Sequence, residues 1–596
     1  MKTLKLREEM DEKYLWNLSE MYLSDEAWED EYTKTIKELS NFVKYKGLLS
    51  QNGELLFKAL KEKNRLEQII GKLYVYAKLK FRQDMKNSFY LGLSNKADAI
   101  NVNYLTIVSF FIPEIIGIGE EKINSFISST ESLKLYKHFF HNIFREIQHK
   151  LSHEKEELIA KVTELSNIPN RVFTIVNNVE TKFELAKDKD GLDFEITHGN
   201  YLKIMESKDR ILRKNVYNSY YNYFISRKET MAELYSGLIK KEFFFAKERK
   251  YSSSIEASLS ENNIPIEVYD TLLNTVNSRL NLSQRFTIIR KKFLKLDVVK
   301  PYDVYLTLIE NIDYKVTYEE AKDIILKSLS PMGDEYIGIV KTILNSNWID
   351  VYENQNKMSG AFSWGSYGTP PYILMNYVDN LRSLFTLTHE LGHSVHSYYS
   401  RNNQPFVYGH YTIFLAEVAS TLHENLLIDY LLKTTEDSKF KKYVINYYLT
   451  NFYATFFRQT MFAEFEKEAH KLVETGTLIN SEAFSSIYKG LIEKYFGLDF
   501  EIDDKVIYEW TRIPHFYRGF YVYQYATGFD SSVAIGKAIL ENKPNALEGY
   551  IEMLKSGSSD YSIPLLKKAG VDMTTSKPIE DALDVFEELL NKFEIN

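Results

Sequence analysis

Apolar residues return every three or four positions along most of the chain. Ile143, Ile147 and Leu151 fall at i, i+4 and i+8, and Leu158 with Val162 resume the pattern beyond Ser152. This predicts a helix reaching Leu151 and a second one capped by Ser152. Thr317 with Glu320 makes a capping box ahead of AKDIILKSL, and Ser330-Pro331 opens the helix after it. Two segments break the helical period. TKFELAKDKDGLDFEITHG sets Phe183 and Leu185 against Phe194 and Ile196 around Asp190-Gly191, a hairpin signature near 181–197. SGAFSWGSYGTPPYILMNYVD is glycine-rich, passes Pro370-Pro371 and enters a β-prone run from Tyr372 to Tyr377. The pattern as a whole predicts a mainly α protein with a little sheet.

Composition narrows the function without choosing it. With 44% apolar and 26% charged residues, the chain has material for a large core. A net charge of −8 and a pI near 6.0 provide no basic face for nucleic acid. There is no cysteine, so any metal must be held by nitrogen and oxygen. The first thirty residues carry acids throughout, and no stretch approaches 18 uninterrupted apolar residues. The expectation is a cytoplasmic protein with no membrane association and no obligate protein partner.

Chemistry enters at TLTHELGHSVHSYYS. Three of the chain's 12 histidines, His389, His393 and His396, sit here with Glu390. His389 and His393 are one helical turn apart, so both rings leave the same face. HExxH is an arrangement in which two histidines bind zinc while the acid reaches the water beside it. At this composition roughly 0.03 chance matches are expected.

A catalytic zinc usually takes a third protein ligand and keeps one position open. Without cysteine, that ligand is His, Asp or Glu from another element. In YTIFLAEVASTLHENLL, Glu417 follows His393 by 24 positions among small and apolar neighbours. A carboxylate there is costly to bury unless it is paired or metal-bound. Gly392, inside HELGH, allows a second helix close. Glu424 shares a helical face with Glu417 and is a candidate acceptor for the N–H of a ligand imidazole. His396 and His423 read as core histidines.

These residues resemble the thimet oligopeptidase family of zinc metallopeptidases. THELGHSVH and FLAEVASTLHENLL carry the resemblance, with ITHGNYLKIMESKDRILRKNVYNSYY, IDVYENQNKMSGAFSWGSYGTPPYILMNY and PIEDALDVFEELLNKFE extending it over most of the chain. The resemblance implies a large helical ellipsoid with a deep central channel, and a small sheet beside the zinc-binding helix. It implies one zinc ion per chain, held by His389, His393 and Glu417, with Glu390 as general base and acid. It implies that an edge strand, here Tyr372 to Tyr377, pairs with a bound peptide. It also implies a histidine and tyrosines that hold the developing oxyanion. His515 matches the family position directly. The tyrosine spacing is shifted by one from the distant members, which favours Tyr521 and Tyr525 and leaves Tyr517 and Tyr523 open. Residues 1–200 would form an N-terminal helical region and 201–596 the catalytic domain.

The function implied is endopeptidase cleavage of short oligopeptides. Two other readings stay open on the residues alone. One is a metallocarboxypeptidase on a similar helical scaffold. The other is a peptide-binding protein with a structural zinc, against which Glu390 argues, since a structural site needs no acid at its open position.

Overall fold

The computed structural model describes residues 4–309 and 314–595. Helices take up 71% of the chain and strands 2%. Asn52 caps the long helix α1 (Gly53–Gln83), its side chain accepting the Leu55 N–H. The expected hairpin forms from β1 (Ala186–Lys187) and β2 (Asp193–Phe194), which pair Ala186 with Phe194 and Lys187 with Asp193. The Asp188 side chain accepts the N–H groups of Asp190 and Leu192 at 2.9 Å, and Gly191 adopts φ +83°. That turn chemistry fixes the register, while the ladder is only two residues long because Phe183 leaves it to stack on Tyr220.

The second sheet comprises β3 (Ile349–Asp350), β4 (Phe362–Trp364) and β5 (Tyr372–Leu374). Then follow α2 (Leu381–Asn403), α3 (Ile413–Thr434), α4 (Arg458–Glu474) and α5 (Tyr523–Leu540). The strand order is β3-β5-β4, with β3 parallel and β4 antiparallel to β5. This corrects the expectation of an edge strand at Tyr372 to Tyr377. That run contributes β5, a central strand of three fully buried residues. The N–H groups of Ile373 and Met375 go to the carbonyls of Trp348 and Asp350 at 2.9 and 2.8 Å. Tyr372 and Leu374 therefore face β4, pairing with Trp364 and Phe362. The backbone of Ser363, between them, is left pointing to the free edge. The open edge on this side belongs to β4.

The Thr317 capping box forms as the sequence predicts, with the Glu320 carboxylate accepting the Thr317 N–H at 2.9 Å. The helix predicted to reach Leu151 stops at Arg145, gives way to a 3-10 turn at Ile147–His149, and restarts at His153 with Ser152 as cap. Leu158, placed on the apolar face by spacing, is 61% exposed while Ile159 is buried. The apolar face is set by Ile159, one position on.

Packing divides the chain into two compact units. The first is Met1–Gln148, Asp313–Tyr430 and Ile535–Val571; the second is His149–Ile312, Leu431–Ala534 and Asp572–Asn596. Each unit draws on segments from both sides of residue 200, so this partition differs from a single sequential cut there. In the first unit, the stretch Ser88–Ile118 is long and apolar enough to cross a membrane by length and composition alone, with 22% of its apolar window buried. Ser109-Phe110 divides it into helices Ser88–Val108 and Phe111–Ile118.

Candidate active site

The site is built where α2 and α3 cross in the first unit. Asn380 caps α2, its side chain accepting the Ser383 N–H at 2.9 Å. The close approach of the two helices follows from Gly392. A Cβ at that position would lie 2.5 Å from Ser420 Cα and 2.6 Å from the Ala419 carbonyl oxygen. Only a residue without a side chain lets the helices meet at this separation. His423 fastens the pair, with Nδ1 at 3.1 Å from the Thr388 carbonyl and Nε2 at 2.6 Å from the Tyr336 hydroxyl. It is a buried structural histidine, as the sequence suggested.

This packing gathers His389, His393 and Glu417, with one ligand atom of each within 4.8 Å of the others. His389 Nε2 is 3.5 Å and His393 Nε2 3.7 Å from Glu417 Oε2. Donors bound at about 2.0–2.1 Å around a tetrahedral zinc lie about 3.4 Å apart. The three residues thus fit such an ion in both chemistry and spacing. Glu424 takes the place foreseen for it, its Oε1 2.6 Å from His389 Nδ1. Accepting that N–H leaves the Nε2 lone pair of His389 directed toward Glu417. Ser420 holds the other end, donating to Glu417 Oε2 at 2.9 Å. Sequence reasoning missed Ser420, although its spacing of three from Glu417 on a helix was the available signal. Thr421 donates to the Glu417 carbonyl oxygen.

The electrostatics follow from burial and mutual charge. Burial works against a charge on His389, but its bond to Glu424 and the charges of Glu424, Glu417 and Glu390 outweigh this and lift the ring to about 9. His393 is pushed down to about 4 by burial and by the neighbouring His389. Glu390 is 7% exposed, and burial raises its carboxyl to about 7. His389 opposes that rise, Glu417 and Glu424 add to it, and the backbone N–H of Ser363 in β4 opposes it. The free edge of β4 therefore meets Glu390. On the same side, Ser363 Oγ lies 2.8 Å from Ser394 Oγ, which donates to the Glu390 carbonyl at 2.9 Å. His396 stacks on Tyr411 with ring centroids 3.6 Å apart and is fully buried.

The other expected site residues lie in the second unit. His515, Tyr521 and Tyr525 converge, with Tyr525 Oη 3.3 Å from His515 Nε2 and the two tyrosine rings 5.5 Å apart. Burial and the nearby Arg518 hold the His515 imidazole below its usual range. Tyr517 instead stacks on Phe173 at 3.8 Å, and Tyr523 packs beside Tyr269 at 5.0 Å, both buried. Of the four tyrosines left open, Tyr521 and Tyr525 have the partly exposed rings.

A family model described as peptidase family M3 matches residues 203–585, and one described as oligopeptidase F matches 114–183. The chain belongs to peptidase family M3. It is a metallopeptidase. Oligopeptidase PepF of Bacillus subtilis is 46% identical over 588 residues, covering 99% of this chain and 88% of the relative. Group B oligopeptidase PepB of Streptococcus agalactiae is 40% identical over 99% of this chain and 98% of its own. Among solved structures, one described as a peptidase from Chlamydophila abortus superposes with TM-score 0.92 at 34% identity, covering 99% of each chain. Oligoendopeptidase-F from Enterococcus faecium superposes with TM-score 0.75 at 37% identity, covering 96% of this chain and 98% of that one.

Proposed function

We propose that this protein is a zinc-dependent endopeptidase acting on internal bonds of short oligopeptides. The carrying observation is the convergence of His389, His393 and Glu417 beside the buried carboxyl group of Glu390. The names of the Bacillus and Streptococcus relatives support peptides as substrates. His389, His393 and Glu417 would hold one ion, and a bound zinc supplies Lewis acidity toward the scissile carbonyl and acidifies water. Glu390 takes the proton that water releases as its oxygen bonds the carbonyl carbon. The same carboxyl then delivers that proton to the amine nitrogen as the C–N bond breaks. Ser363 and Glu424 keep Glu390 and His389 oriented for these steps. We assign the peptide backbone to the free edge of β4, as an added strand. For His515 with Tyr521 or Tyr525 we keep the oxyanion-binding role that the family resemblance implies, supported within the second unit by the grouping of the three rings.

An internally quenched peptide of about ten residues, blocked at both ends, tests this reading. Cleavage should stop with a chelator and return with stoichiometric zinc. A blocked peptide also excludes an obligate carboxypeptidase. Glu390→Gln should keep zinc and lose about 10²–10⁴-fold in kcat. Near wild-type turnover by the zinc-loaded variant would sink the assignment of Glu390.

A further inference from the structure

Helix α1 runs along β4 and turns a partly exposed stripe toward it. Gly71 lies against Ser366, where a Cβ would come 3.0 Å from its Oγ. Tyr74 meets Trp364 edge-on at 6.1 Å. At the C-terminal end of the helix, Arg82 places its guanidinium carbon 4.7 Å from the Phe362 ring and 4.5 Å from the Trp364 ring. Phe362 and Trp364 share one face of β4, and Ser363 occupies the other, toward Ser394 and Glu390.

The arginine has no carboxylate of its own. Nearby cations of α1 do: Lys78 pairs with Asp98 at 2.7 Å and Lys80 with Asp25 at 3.4 Å. Among the described residues no acid pairs with Arg82, and burial depresses its pKa, opposed only by the nearby Tyr74. Both rings lie close to the guanidinium carbon, and an arginine held against aromatic rings in this way can still offer its edge N–H groups. Those groups form the fork that matches a carboxylate in a bidentate manner.

A peptide strand added to the free edge of β4 would run about 4.7–4.9 Å from it. Every second side chain would then lie on the Phe362–Trp364 face, with Cβ atoms about 4.5–5.5 Å from those opposite. We propose that Arg82 is a receptor for a carboxylate of the bound peptide, selecting peptides that carry an acid in register with the Phe362–Trp364 face. The inference rests on the reading of β4 as the substrate edge. The carboxylate has two sources, an Asp or Glu side chain or the free C-terminus. The competing account is that Arg82 only complements the C-terminal dipole of α1. That role would be indifferent to peptide sequence.

The test uses end-blocked quenched peptides in which Asp and Asn are exchanged at each position in turn. A second pair differs only in a C-terminal carboxylate or amide. The zinc-loaded full chain should prefer Asp over Asn at one position, or acid over amide at the terminus, by about tenfold in kcat/KM and mainly through KM. Arg82→Gln should bring that ratio to about one, and Arg82→Glu should reverse it in favour of Asn or the amide, both read as ratios within one protein. Binding of the same peptides to the Glu390→Gln protein, followed by fluorescence anisotropy, reports on Arg82 without turnover. Failure of the wild type to cleave any peptide would count against the endopeptidase reading, with the anisotropy ratio still deciding on Arg82. Equal affinity for Asp and Asn at every position and for acid and amide, or a preference that survives in Arg82→Gln, would overturn the proposal.

Discussion

The crossing of α2 and α3 and the turn from His515 to Tyr525 are held by opposite means. The helix pair satisfies its own backbone, so the site needs only small residues at the contact and a few fixed side chains. Gly392 against Ser420 sets the separation, and Glu424 and Ser420 aim the ligands. The turn, which ends in the first residues of α5, carries only scattered i→i+3 backbone bonds, such as the Arg518 N–H to the His515 carbonyl and the Tyr521 N–H to the Arg518 carbonyl. It hangs from two buried glutamates, Glu509 before it and Glu466 beneath it. Phe520 sits at φ +55°, a conformation few large residues adopt, and its N–H is accepted by Glu466 Oε1 at 2.7 Å. The metal-ligand geometry thus depends on close packing, whereas the turn depends on buried charge and hydrogen bonding. That contrast is what mutations can break.

The largest effect falls on the turn. Glu509 is buried between Arg458, at 2.6 Å, and Arg512, and it accepts the Tyr488 hydroxyl at 2.7 Å. Burial opposes its charge, but Arg458 and Arg512 overcome this and hold the carboxyl at about 2. Glu509→Gln strands two buried cations and should cost about 3–5 kcal/mol in urea unfolding. Because the folded pKa is depressed, the stabilisation is complete above the unfolded value of about 4.3 and vanishes as pH falls toward the folded one. The gap between wild type and variant should therefore close in acid. Zinc content of the folded variant should remain stoichiometric, and loss of metal would mean the two regions are not independent.

On the helix pair, Gly392→Ala forces a methyl group into the backbone of α3. Overpacking of this kind costs about 1–3 kcal/mol, and here it separates His389 and His393 from Glu417. Zinc affinity by chelator competition should fall along with the melting temperature; wild-type values of both would show that the helices do not set the site. Smaller again is Glu424→Gln, which keeps an acceptor for His389 Nδ1 but removes its charge. Weakening of zinc binding by about 10–100-fold is expected, with the melting temperature of the metal-free protein little changed. Unaltered affinity would remove Glu424 from its orienting role.

The difference in means explains what the sequence made legible. Helical period turns spacing into geometry, so HELGH, Glu417 and Glu424 fall on defined faces by spacing alone, and Gly392 reads as a close approach. The sheet offered no such ruler. β3 is two residues long and too short to display a period, yet its pairing makes β5 central and moves the open edge to β4. The role of Ser363 is a backbone N–H, which no side-chain pattern announces. In the second unit, Tyr517 and Tyr523 differ from Tyr521 and Tyr525 only in burial, which depends on Phe173 and Tyr269, over 200 residues away in sequence. Leu158 misled because adjacent apolar residues, Leu158 and Ile159, fit two faces equally well until packing chose one.

The smallest effect is the most discriminating, since it sets one buried glutamate of the second unit against another. Glu466 is buried like Glu509, but among the described residues no arginine pairs with it, and burial drives its carboxyl well above the usual range with Glu242 adding to the rise. That direction favours the neutral carboxyl, in which what Phe520 needs from it is an acceptor, not a charge. Glu466→Gln keeps that oxygen and should be at least as stable as wild type at pH 7. A raised folded pKa means the wild type must take up a proton to fold above the unfolded value of about 4.3, a cost the amide does not share. Any advantage of Glu466→Gln should shrink as pH falls toward that value, opposite in sign to the Glu509 case. Glu466→Ala, which leaves the Phe520 N–H buried and unpaired, should lose about 1–3 kcal/mol. A Gln variant as damaged as the Ala variant at pH 7 would mean that Glu466 is ionised in the folded state and that the turn, too, is held by charge.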